Sequence, residues 1–199
     1  HHALVKHALK VLRNTIGYDI HIMVGNVATL EAFNALSDWG ADSIKVGIGG
    51  GSICSTRIQT GHGVPTLQSV IDCAQSDRDA KLIADGGIKN SGDMAKALAA
   101  GADFVMVGSL LAGTIEAPGD SVIIDGKTYK KYRGMASVEA QIDWRGHSSS
   151  IEGVSHMIPA RGRLENVLKE LEGGIRSGFS YTGALNIVEF QSKAELIKQ

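Results

Sequence analysis

The chain has 199 residues, a net charge of −1 and two cysteines, Cys54 and Cys73. That charge excludes the broad basic field of a nucleic-acid binder. No apolar run approaches the ~20 residues of a membrane span, and the cysteine count argues against a disulfide framework and for a reducing, cytoplasmic setting. The expectation is of no nucleic-acid partner, no membrane partner and no leader at the opening His1-His2, which reads either as a tag remnant or as the cut end of a motif.

Leu4, Val5, Ala8, Leu9, Val11, Leu12 and Ile16 recur at helical spacing, and Gly17 ends the run. Residues 19–27 (DIHIMVGNV) read as a buried strand. Thr29 is the predicted N-cap of a helix that ends at Gly40. ADSIKVG (41–47) is the next strand, followed by a loop rich in glycine. Pro65 suits a first helical turn, with the helix over 66–75. AKLIADGGI (80–88) is a third strand, residues 90–102 a capped helix ending at Gly101, and DFVMVGS (103–109) a fourth strand. Strand and helix alternate with short connectors, which predicts parallel strands with helical crossovers. Beyond Thr114 the pattern changes. Residues 116–135 read as a hairpin turning at Asp125-Gly126. The stretch from Gly134 to Gly162 is polar, irregular and long enough to act as a flap. Residues 163–178 return to helix, and the final segment is amphipathic.

Each of the four strands ends in small residues: Gly25-Asn26, Gly47 to Gly51, Asp85-Gly86-Gly87 and Gly108-Ser109. Ligands of parallel α/β folds bind at such ends. Cys54 lies in a Gly/Ser/Thr loop just past one of them, where exposure and neighbouring N–H groups favour a nucleophile. Cys73, inside an apolar helix, reads as a packing group. Gly49, Gly50 and Gly51 suit a plain flexible loop, an anion cradle, or carbonyls aimed at a cation. Asn90 and Ser91 are better placed than Asp85 to cap the next helix, which leaves Asp85 for a ligand hydroxyl. Gly108 and Ser109 form either an ordinary turn or a phosphate cradle. His62, His147 and His156 lack metal-ligand spacing. GIGGGS matches a dinucleotide fingerprint only loosely, because Ser-Ile-Cys follows it and not a helix.

The segments GGGSICSTRIQTGHGVP, IADGGI, GDMAKALAAGADFVMVGSLLAGT, EAPG, KKYRGM and GGIRSGFSYTGA resemble, in order, the inosine-5′-monophosphate dehydrogenase and guanosine monophosphate reductase family. The resemblance implies an eight-stranded parallel (β/α) TIM barrel. Residues 1–199 would be its C-terminal half, with hairpin and flap at about 115–162. It implies that Cys54 attacks purine C2 of a nucleoside monophosphate, beside Thr56. Ser52, Gly87, Gly108, Ser109 and Tyr132 would hold the phosphate and Asp85 the ribose. Gly134, Met135 and Glu152 would meet the base, and Asn26 would line the pocket. Carbonyls of Gly49, Gly51 and Cys54 would hold a monovalent cation, typically potassium.

The motifs most resemble the dehydrogenase, which oxidises inosine monophosphate to xanthosine monophosphate with NAD. The alternatives are the reductase, which uses NADPH and releases ammonia, and an inactive nucleotide-binding half-barrel. The family implies a homo-oligomer, usually a tetramer. The flap follows neither enzyme's pattern. It has no Arg-Tyr pair, since Arg145 follows Trp144, and Val138 stands where the reductase carries an acid, with Glu139 one place later.

Overall fold

The computed structural model describes residues 1–197. After α1 (Ala3–Ile16), three crossover helices alternate with four strands: β1 (Met23–Val27), α2 (Leu30–Asp38), β2 (Ser43–Val46), α3 (Thr56–Thr60), α4 (Thr66–Cys73), β3 (Lys81–Asp85), α5 (Ser91–Ala99) and β4 (Phe104–Met106). The crossovers are α2, α4 and α5; the short α3 belongs to the cysteine loop. The strands form one parallel sheet in the order β1-β2-β3-β4. The expected caps are in place. Thr29 accepts the Ala32 N–H at 3.3 Å and Asn90 the Asp93 N–H at 2.8 Å. Each satisfies a helix N-terminal donor that would otherwise be left without a partner.

Side chains alternate across a strand, so the sheet has two distinct faces. Ile44, Val46, Leu82 and Ala84 meet Phe33, Leu36, Val70 and Cys73 of the helices in the main core. The other face lines an open groove of Met23, Ser43, Ile83, Phe104 and Met106. Toward the strand ends this face carries Lys45 and Asp85. The strand expected over 19–27 is shorter and less buried than its composition suggests, because β1 is an edge strand and Met23 stays 49% exposed.

The chain continues through α6 (Ser109–Ala112) into a second sheet of β5 (Ser121–Ile124), β6 (Lys127–Arg133) and β7 (Ser155–Pro159), all antiparallel. Asp125 and Gly126 make the expected two-residue turn, with φ of 48° and 74°; positive values at both positions mark a twist-matched hairpin. Residues 134–162, expected to be irregular, contain α7 (Val138–Arg145) and β7. α7 is held by its cap, Ser137, more than by an apolar stripe, and β7 by pairing with β6. Periodicity therefore gives no sign of either. The Lys130 ammonium is buried and donates to the carbonyls of Thr114, Ile115 and Ala117, tying the APG loop to the hairpin. α8 (Leu164–Thr182) packs on α5, and α9 (Ile187–Lys193) packs against both. No helix among the described residues is long and apolar enough to cross a membrane.

Candidate active site

The cysteine loop leaves β2 and turns on itself where the Cys54 N–H donates to the Gly51 carbonyl at 3.1 Å. Cys54 is partly exposed, whereas Cys73 is fully buried in the core, as expected. Burial, with the Asp72 charge adding to it, pushes the Cys73 thiol up to about 12. Of the two thiols, Cys54 is the accessible one. The Cys54 thiol donates to Thr56 Oγ1 at 3.2 Å, and the Thr56 hydroxyl donates to Glu152 Oε2 at 2.6 Å. A sulfur, a hydroxyl and a carboxylate therefore form one hydrogen-bonded line.

The backbone explains why Glu152 is there. Residues 152–154 lie between the cysteine loop and the segment after β6. On one side the Ser55 N–H donates to the Glu152 carbonyl at 2.8 Å, the Val154 N–H to the Ile53 carbonyl at 3.0 Å, and Cys54 and Gly153 form an antiparallel bridge. On the other side the Gly134 N–H donates to the Val154 carbonyl at 3.1 Å and the Glu152 N–H to the Ala136 carbonyl at 3.3 Å. Gly134 and Glu152 are thus brought to the thiol, while the Met135 side chain beside them remains 70% exposed. The flap is knitted by Gln141, which is buried. Its amide donates to the Ala136 carbonyl at 3.1 Å, and its oxygen accepts from Arg145 and from the Ser149 N–H. Arg145 also lies over the Trp144 ring. Glu139 turns to Ser155 and Lys131, whose hydrogen bonds hold its carboxyl below the usual range.

At the strand ends, Asn26 donates to the Gly47 carbonyl at 2.9 Å and to Asp85 Oδ2 at 3.0 Å, and Lys45 reaches the same oxygen at 3.3 Å. Asp85 leaves the cap of α5 to Asn90, as anticipated. The Tyr132 hydroxyl sits so close to Gly108 that a Cβ on the glycine would lie 2.5 Å from it. Burial raises the Tyr132 phenol above its ordinary range; a hydrogen bond with Ser52 opposes this, and the Asp85 charge adds to it. Ser52, Asp85, Gly108 and Tyr132 therefore share one neighbourhood. Ser109 opens α6 behind Gly108, and Gly87 packs beside the Gly50 carbonyl. Gly49 packs against the Arg57 stem.

Periodicity and motif left three contributors unassigned: Lys45, Gly153 and Gln141. Lys45 had a usable signal, since it is the lone charge in the strand SIKV. Glu152 was expected at the base, and its carboxylate lies on Thr56. No local pattern announces a contact between residues so far apart in the chain.

The family model described as IMP dehydrogenase / GMP reductase domain matches residues 1–199. The chain belongs to this family. It is 47% identical over 191 residues to inosine-5′-monophosphate dehydrogenase of Aquifex aeolicus (strain VF5), covering 90% of this chain and 39% of that protein. It is 46% identical over 203 residues to GMP reductase of Leishmania major, covering 96% and 41%. A crystal structure of a GMP reductase variant from Trypanosoma brucei in complex with guanosine 5′-monophosphate superposes with a TM-score of 0.93 at 42% identity, over 97% of this chain and 42% of that one. The chain thus spans about two fifths of the length of these relatives. Both names denote oxidoreductases and occur at similar identity, so membership of the family leaves the reaction open.

Proposed function

We propose that these residues form the thiol-bearing half of a (β/α) barrel oxidoreductase that acts on a purine nucleoside monophosphate through a covalent adduct of Cys54. The line Cys54–Thr56–Glu152 carries this reading. A thiol placed against a hydroxyl and a carboxylate has a path for its proton, and so does any group that later attacks or leaves the adduct. The open groove on the sheet, with Phe104 58% exposed, suits a barrel interior that further strands would close.

In the dehydrogenase direction the Cys54 sulfur adds to C2 of inosine monophosphate. Loss of hydride from that carbon leaves a thioimidate on the sulfur. Water then attacks C2, Thr56 and Glu152 take its proton, and the sulfur departs to give xanthosine monophosphate. Ser52, Gly87, Gly108, Ser109 and Tyr132 hold the phosphate, Asp85 the ribose, Gly134 and Met135 the base, and Asn26 fixes Asp85. The partly exposed thiol leaves room for a nicotinamide, and NAD would supply the hydride acceptor. A monovalent cation such as potassium fits the oxygen-only donors Gly49, Gly51 and Cys54. Ser55, next in the chain, has a buried hydroxyl with no hydrogen-bond partner among the described residues. Bound there, the ion would order the cysteine loop.

The flap favours a second reading. It has no Arg-Tyr pair, and Arg145 is engaged by Gln141. With Glu152 as the carboxylate on Thr56, the same line could protonate departing ammonia in NADPH-dependent reduction of guanosine monophosphate. Full-length protein incubated with each nucleotide and cofactor pair separates the two by absorbance at the nicotinamide band. Intact mass should show a nucleotide adduct that Cys54→Ala abolishes. Turnover with no adduct, or turnover retained by Cys54→Ala, would refute covalent catalysis.

A further inference from the structure

The hydrogen bonds to Asp85 fall unevenly. Lys45 Nζ at 3.3 Å and Asn26 Nδ2 at 3.0 Å both go to Oδ2. A carboxylate oxygen has two lone-pair sites, so these two donors fill that oxygen. Lys45 reaches it because of strand register. It pairs with Ile83, two residues before Asp85, and side chains two apart share a face. Gly25 faces Lys45 from β1, where a Cβ would come within 2.7 Å of the lysine Cβ. Both charged side chains are about one quarter exposed, so screening by water is incomplete.

We infer that Lys45 is a positioning residue: it holds one oxygen of Asp85 and thereby presents the other, Oδ1, to the vicinal hydroxyls of a ribose. This rests on the proposed nucleotide site and adds to it a determinant of sugar selectivity. Without Lys45, the Asn26 amide is the one side chain left holding Asp85 among the described residues. The carboxylate can then rotate, and the preference for a ribonucleotide over its 2′-deoxy analogue declines. The ammonium acts through Asp85, the group it contacts.

The test uses the full-length protein and follows protection of Cys54 from iodoacetamide by inosine monophosphate and by 2′-deoxyinosine monophosphate. Wild type should prefer the ribonucleotide. In Lys45→Met and Lys45→Gln, ribonucleotide affinity should fall about 10- to 100-fold, the worth of a charge-assisted hydrogen bond, while deoxynucleotide affinity changes much less. Lys45→Arg should restore most of the preference. Alkylation without nucleotide should proceed at the wild-type rate, which shows that the loop is folded. An undiminished ribose preference in both neutral variants overturns the inference. So does an equal loss for both nucleotides. If neither nucleotide protects wild type, the nucleotide site itself is refuted.

Discussion

Cys54 and Gly153 meet backbone to backbone in an antiparallel bridge, so the reactive loop and the flap are a single piece of structure at the thiol. Gly153 has no room for a side chain: a Cβ would lie 2.9 Å from the Ser137 nitrogen and 3.0 Å from the Ala136 carbonyl carbon. Backbone atoms yield less readily than side-chain ends. Gly153→Ala should therefore push the flap off the cysteine loop, at about 1–3 kcal/mol. In the full-length protein, faster alkylation of Cys54 and lower turnover are the expected results.

The Thr56–Glu152 contact at 2.6 Å predicts coupled losses. Glu152→Gln and Thr56→Val should each lower kcat by about 10²- to 10⁴-fold, the usual range for a positioned proton-transfer group. The double variant should lose little more than the worse single one, as expected of groups that act as a unit. Steady-state kinetics on all three would show it, and multiplicative losses would separate the two roles.

Cys73 supplies a pH dependence. Its thiol moves from an ordinary 9.0 to about 12 on folding. A group whose pKa is raised in the folded state binds its proton more tightly there. Its contribution is complete below pH 9 and is lost as pH rises toward 12, with a slope of up to about 1.4 kcal/mol per pH unit. Denaturant melts between pH 8 and 11 should show stability falling more steeply in wild type than in Cys73→Ala. Native labelling at neutral pH should mark Cys54 and spare Cys73.

Lys130 is a structural cation. Three carbonyls accept from its buried ammonium, and Lys130→Met would remove that donor from all three, leaving only Thr114 another, the Ala117 N–H at 3.2 Å, among the described residues. The expected cost is about 2–4 kcal/mol, read as a drop in Tm and as earlier proteolysis within residues 114–133.

The parts of this molecule that obey a period are legible in its sequence. The four parallel strands, the caps at Thr29 and Asn90, the Asp125-Gly126 turn and the burial of Cys73 all follow from local pattern. The cysteine loop was legible by composition and motif. The elements inside the flap were not: α7 has a polar sequence, and β7 exists because β6 offers it an edge. Lys45 and the contact of Glu152 with Thr56 escaped for the same physical reason. Their partners, Thr56 and Asp85, are supplied by distant segments that only the assembled sheets bring together.

Tyr132 and Gly134 stand two residues apart at the end of β6. The first sits over Gly108, and the second donates to the carbonyl of Val154, next to the Gly153 that bridges to Cys54. Any swing of this ladder loosens both ends of the cleft at once. In the proposed reaction, escape of product and wetting of the sulfur would then share one barrier, so the dwell time of a bound nucleotide would also time how long the adduct stays dry.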